Sequence, residues 1–194
     1  MELLDPEQTY ENQINLKVMI VGKQKTGKSL FLKRINLNYT EFRQLNLDYI
    51  ATSGFEFIKK VIKLRNSIFS IQIWDTCRND TYQHLIRNFY KTTNIFLIFY
   101  DALDRNSFEI TKSYFEDIKI ECKTRNPIYV LVRSKYENVL KREEKNDIVR
   151  DEEALEFADE NNIYFFHIGI LEKYATGIED LFEFILNKYR KSNL

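Results

Sequence analysis

The chain has 194 residues, 44% of them hydrophobic and only five of them glycine and two proline, enough for one globular domain with a sizeable core and too few for two. Lys plus Arg and Asp plus Glu each number 29, so no net field draws the chain to nucleic acid or to an anionic membrane. The two cysteines, Cys77 and Cys122, give neither a disulfide framework nor a CxxC metal spacing, which fits a reducing, cytoplasmic compartment; no apolar run approaches the roughly 18 to 20 residues of a membrane span, and residues 1–15 are too acidic and polar for a signal peptide.

In chain order, 1–15 read as an N-terminal extension and 16–21 as a short apolar strand. Residues 55–64 and 68–74 are rich in β-branched and aromatic side chains and predict a hairpin. The almost wholly apolar run 94–100 predicts a strand buried on both faces, as in a parallel sheet. Phe108, Phe115, Ile118 and Cys122 then line one face of a helix, and 127–132 supply another strand. Residues 141–153 mix both charges and predict a solvated loop running into an acidic helix start. A last strand at 163–168 precedes a helix faced by Ile178, Leu181, Phe182, Ile185 and Tyr189. Strands alternating with helices after a first hairpin predict an α/β sheet covered on both faces, with its ligand beyond the carboxyl ends of the strands.

Just after the first strand, Gly22 is followed after four residues by Gly27, Lys28 and Ser29. This is the spacing of a P-loop. Its backbone N–H groups wrap phosphates, its lysine reaches the outer phosphates and its hydroxyl binds Mg²⁺. Gly22, Lys23, Lys25, Thr26, Gly27, Lys28, Ser29 and Leu30 are therefore candidate nucleotide-binding residues. A lysine-rich surface turn is the bland reading of the same stretch. The loop alone does not choose between ATP and GTP, or between a switch, a kinase and a motor.

Downstream motifs choose. TSGFEF occupies 52–57, IWDT occupies 73–76 at a strand's end, and FYKTTNIFLIFYDALDRNSF runs from 89 to 108. In order and spacing these segments resemble TIGVDF, WDT, YYRGA and VYDxTDxxSF of the Rab branch of the Ras-like small GTPases, over about residues 17–186. The resemblance implies an α/β P-loop NTPase G domain over 16–190, a mostly parallel six-stranded sheet with helices on both faces, and a short tail at 191–194. It implies GTP or GDP with Mg²⁺ as ligands, Lys28 on the β- and γ-phosphates, Ser29 and Thr52 on the metal, and Asp75 holding a metal-bound water. It also implies a partner surface at Phe57, Trp74 and Phe89, the positions of the aromatic triad through which Rabs meet effectors.

The departures from the family pattern cluster where chemistry occurs. WDTAGQE is replaced by WDTCRND, so Arg78 stands for a phosphate-sensing glycine and Asn79, one methylene too short, for the water-orienting glutamine. Gln24 and Lys25 replace small residues or glycine inside the phosphate loop, and Lys25 is expected to point outward. The base-reading NKxD becomes Ser134, Lys135, Tyr136, Glu137, in which Lys135 and Glu137 can still meet a guanine, with weakened preference. HIGIL at 167–171 replaces the SAK-type loop, and His167 reads as a strand residue. The segment 35–50 is about five residues longer than usual, which leaves the base-flanking aromatic, Tyr39 or Phe42, unassigned. The end YRKSNL has no cysteine for prenylation, so the expected location is cytoplasmic or membrane-associated through partners. These features suit a Rab-like switch in membrane traffic or signalling with slow or absent GTP hydrolysis. A pseudo-GTPase scaffold whose nucleotide is structural or absent is the alternative, and a small P-loop kinase is disfavoured because no arginine-rich lid is evident.

Overall fold

The computed structural model describes residues 1–37, 39–44, 55–76, 83–134, 149–171 and 176–193. Its strands are β1 (Glu2–Leu4), β2 (Ile14–Gly22), β3 (Phe55–Leu64), β4 (Ser67–Thr76), β5 (Ile95–Asp101), β6 (Ile128–Ser134) and β7 (Tyr164–His167). Its helices are α1 (Lys28–Asn36), α2 (Tyr39–Arg43), α3 (Gln83–Tyr90), α4 (Arg105–Glu121), α5 (Asp151–Glu160) and α6 (Ile178–Asn193). All seven strands form one sheet in the order β1-β3-β4-β2-β5-β6-β7. The pairs β2–β4, β2–β5, β5–β6 and β6–β7 are parallel, while β1–β3 and the hairpin β3–β4 are antiparallel.

Strand β5 shows why the central strands read as unbroken apolar runs. Ile95, Leu97 and Phe99 enter the core on one face of the sheet and Phe96, Ile98 and Tyr100 enter that on the other. The first core is closed by Phe31 and Leu32 of α1 and by Leu181, Ile185 and Leu186 of α6. The second is closed by Ile86 of α3, Phe108, Phe115 and Ile118 of α4, and Ala154 and Ala158 of α5. The facing residues expected for α4 and α6 are buried, except that Tyr189 is half-buried and Cys122 lies half-buried at the carboxyl end of α4. Phe42 is also fully buried in the first core, with the Arg34 guanidinium 5.4 Å above its ring. Its ring packs in the core.

The sheet has seven strands where six were expected, because the stretch read as an extension folds back onto the hairpin. Glu2, Leu3 and Leu4 pair with Lys63, Ile62 and Val61, and Lys63 meets the Glu2 carboxylate at 3.6 Å. Pro6 follows and has no N–H to continue a ladder, and its carbonyl accepts from Lys59 Nζ at 2.6 Å. Strand β2 opens at Ile14, two residues before the expected boundary, and α6 runs through Asn193, so most of the expected tail is its last turn. The acidic helix start foreseen before Glu153 is the first turn of α5, with Asp151, Glu152 and Glu153; residues 141–148 lie outside the described residues. Chain order reverses about β2, whose neighbours β4 and β5 lead away in opposite directions. The loop after β2 therefore stands at the switch point, where open α/β sheets place their ligands.

Candidate functional site

The loop between β2 and α1 is shaped by its two glycines. Gly22 has φ 148°, and a Cβ there would stand 2.3 Å from the Phe99 carbonyl oxygen, so only glycine lets the loop leave the sheet this close to β5. Gly27 caps α1 in the left-handed region at φ 90°, with no side-chain cap and no acidic residue in the first turn. The helix start thus offers its backbone N–H groups and positive dipole end toward the loop, the arrangement that receives an anion.

The side chains converge on the loop's own carbonyls. Lys28, only 9% exposed, donates from Nζ to the oxygens of Gly22 at 2.8 Å and Lys23 at 2.9 Å. The Thr26 hydroxyl donates to the same Lys23 oxygen at 2.8 Å. Lys23 reaches across to Asp104 at 2.7 Å. Lys25 is exposed, as expected, and takes a left-handed φ of 67° where the family has glycine. Gln24 is exposed and Leu30 half-buried against the first core.

Strand register brings the second half of the site in. Ile20 pairs with Asp75 across β2 and β4, and the Thr76 hydroxyl donates to the Ile20 carbonyl at 3.1 Å. Asp75 is 0% exposed, and the Ser29 hydroxyl donates to its Oδ2 at 2.5 Å. A buried carboxylate needs a charge or donors facing it. A hydroxyl and a carboxylate beside a phosphate loop are hard oxygen ligands of the kind Mg²⁺ takes, with phosphate and water completing its octahedron. Ser29 and Asp75 supply two such oxygens, and this donor set fits a cation that takes its remaining ligands from phosphate and water.

At the carboxyl end of β6, Ser134 is fully buried, and its hydroxyl donates to the Tyr100 carbonyl at 2.9 Å. Ser134 and Ile170 back the phosphate loop, since a Cβ on Gly27 would meet Ile170 Cδ1 at 3.3 Å and Ser134 Oγ at 3.9 Å. Tyr100, Arg133 and His167 are in register across β5, β6 and β7. Arg133, 3% exposed, forms an ion pair with Asp151 and donates to the Val149 carbonyl at 3.2 Å. His167 Nε2 lies 3.9 Å from Asp151, and burial first, then the Arg133 charge, hold its pKa below the ordinary imidazole value. Thr52, Arg78, Asn79, Lys135 and Glu137 lie outside the described residues.

Three rings form a separate feature where the β3–β4 hairpin meets α3. Phe57 stacks on Trp74 at 4.6 Å, and Trp74 lies 4.9 Å from Phe89 of α3. Phe57 is 53% exposed, and Lys17 Nζ stands 4.2 Å from the Phe89 ring centre and 5.2 Å from that of Trp74. The sequence reading missed Lys17, which lies on β2 beside the stack.

Two further tethers escaped the sequence reading. Asp104 caps α4 by accepting from the Ser107 N–H at 3.2 Å while it holds Lys23. Partial burial works against its charge, but Lys23 and the Ser107 and Asn106 amides outweigh it and keep its pKa below the ordinary carboxylate value. Arg105, the next residue, binds both carboxylate oxygens of Glu153 at 2.7 and 2.8 Å. That bond is the main reason the Glu153 carboxyl is more acidic than usual. No spacing signals either tether, because the partners are 81 and 48 residues apart.

A family model described as the Ras family matches residues 17–191. The chain is similar to the GTP-binding protein YPT1 of Saccharomyces cerevisiae, at 29% identity over 177 residues, 91% of this chain and 79% of that protein. It is similar to the Ras-related protein RGP1 of Oryza sativa subsp. japonica at 29% identity over 182 residues, 92% and 75% of the two chains. The Ras-related protein Rab11D of Nicotiana tabacum is 28% identical over 182 residues, 92% and 76% of the two chains. No helix among the described residues is long and apolar enough to cross a membrane.

Proposed function

Since the chain belongs to the Ras family, we propose that it is a Rab-like switch that binds GTP and GDP with Mg²⁺, hydrolyses GTP slowly if at all, and acts in membrane traffic or signalling by engaging protein partners. The carrying observation is the meeting of Ser29 with buried Asp75 at 2.5 Å beside a loop whose Lys28 is already drawn into its carbonyls. Similarity to a protein named as GTP-binding and to Rab proteins supports the guanine reading and the trafficking role.

In this reading the N–H groups from Lys23 to Leu30 wrap the phosphates, and Lys28 turns its ammonium to the β- and γ-phosphates. Ser29 and Thr52 would hold the magnesium and Asp75 a water bound to it, and the ion would supply charge neutralisation at the phosphates. Lys135 lies along the purine and Glu137 accepts from its N–H groups. Partners dock on exposed Phe57 and the half-buried Trp74 and Phe89 behind it, since aromatics on rigid elements concentrate binding energy.

Slow hydrolysis follows from residue chemistry. Cleavage of the γ-phosphate depends on positioning water and stabilising charge. Asn79 is too short to orient that water as a glutamine does, Arg78 brings a Cβ where a glycine N–H meets the phosphate, and Gln24 crowds the path of an inserted arginine. Single-turnover hydrolysis of bound GTP is expected below the order of 10⁻⁴ per second of an ordinary Ras-like protein. Nucleotide extracted from the freshly purified full chain should be guanine nucleotide. Purification without nucleotide, together with no measurable GTP or GDP binding in Mg²⁺, would instead favour the scaffold reading. A rate well above that order, abolished by Arg78→Ala, would establish a finger supplied by the chain itself.

A further inference from the structure

We propose that the Lys23–Asp104 ion pair is a latch on the phosphate loop, which makes Asp104 a positioning residue for Lys28 although it stands outside the phosphate motif. The proposal rests on the nucleotide-binding reading above and adds to it a determinant of how long nucleotide stays.

The Lys23 carbonyl is the hub of the loop, because it accepts both Lys28 Nζ at 2.9 Å and the Thr26 hydroxyl at 2.8 Å. Where that carbonyl points decides where Lys28 waits. Gly22 is held against the Phe99 carbonyl at φ 148°, but on its other side the peptide runs into exposed Gln24, and the bonds from Lys28 and Thr26 come from the loop and its own helix start and tie it to no other element. The Lys23 side chain supplies the fixing, ending 2.7 Å from Asp104 Oδ2.

The mooring point is itself anchored. Asp104 caps α4, and its carbonyl accepts from the Ser107 hydroxyl at 2.7 Å. The Leu103 N–H binds Asp101 at 3.0 Å, and Arg105 grips Glu153 of α5 through two bonds. The latch therefore ties the loop after β2 to the helix start after β5, across the switch point of the sheet. With side chains 31% and 36% exposed, the pair is screened less than a fully exposed one.

The test measures release of fluorescent GDP from the full-length chain in excess Mg²⁺, chased with unlabelled GDP. Asp104→Asn keeps an oxygen to cap α4, and should speed release by about two- to fivefold, the range of a partly exposed ion pair. Lys23→Ala should do the same, the double variant should be no faster than either single one, and Lys23→Arg should stay near the parent. A helix-cap or general stability role would not reproduce two further signs. Raising salt from low to near 1 M should speed release from the parent and not from Asp104→Asn, and amides of the loop 23–27 should exchange faster in Asp104→Asn without nucleotide. Parent rates in both single variants, or additive effects in the double variant, would overturn the latch while leaving the nucleotide reading intact. A parent chain that binds no GDP would overturn that reading and the latch's role in release together.

Discussion

The loop after β2 and the cluster at the carboxyl ends of β5, β6 and β7 are built from different materials. At the loop end the groups on offer belong to the backbone, shaped by Gly22 and Gly27 and stiffened by Lys28 and Thr26 on the loop's own carbonyls. At the other end the polar side chains are taken up by the protein itself: Ser134 by the Tyr100 carbonyl, and Arg133 by the Asp151 carboxylate and the Val149 carbonyl. A backbone cradle survives replacement of its side chains so long as two glycines remain, whereas a cluster made of side chains is lost with any one of them.

The sharpest way to break this comparison is Gly22→Ala. The new Cβ would collide with the Phe99 carbonyl at 2.3 Å in a backbone region that alanine disfavours, so the cost should be about 3 kcal/mol or more in denaturant unfolding. A loss under about 1 kcal/mol would show that the cradle is not set by that close approach.

Lys28→Ala should weaken guanine nucleotide by about 10- to 100-fold, the range of a hydrogen bond to a charged group, read by equilibrium titration in Mg²⁺. Ser29→Asn should act in the same direction through the metal. Undiminished affinity in both variants would end the phosphate-loop reading.

At the other end, Arg133→Met should cost about 2 kcal/mol of stability, since it strips Val149 and Asp151 of a buried partner. It should leave nucleotide affinity within about threefold, because Val149 and Asp151, the partners it would lose, lie outside the loop after β2. An affinity loss as large as that of Lys28→Ala would erase the distinction between the two ends.

Lys25→Gly is the smallest change expected. Removing a left-handed lysine at φ 67° relieves about 1 kcal/mol or slightly more, and the freer unfolded chain takes back part of it. A net gain of roughly 0.5 kcal/mol in thermal or denaturant midpoint would show that the family glycine suits this backbone better than the residue present.

The sequence by itself determined whatever depends on neighbours along the chain. Strands at 55–64 and 94–100, the buried faces of α4 and α6, and the phosphate loop follow from periodicity and glycine spacing, because a residue's side-chain direction and φ are local properties. The resemblance carried Asp75 and the aromatic triad, which no local rule would have joined. Only the tertiary structure decided that Ser29 meets Asp75 from 46 residues away, that Lys23 crosses to Asp104, that Arg133 is neutralised by Asp151, and that residues 2–4 complete a seventh strand. Each of these contacts depends on which strands lie side by side and in what register. That choice is made by burying both faces of β2 and β5 at once, a balance over the whole core that no short stretch of sequence contains.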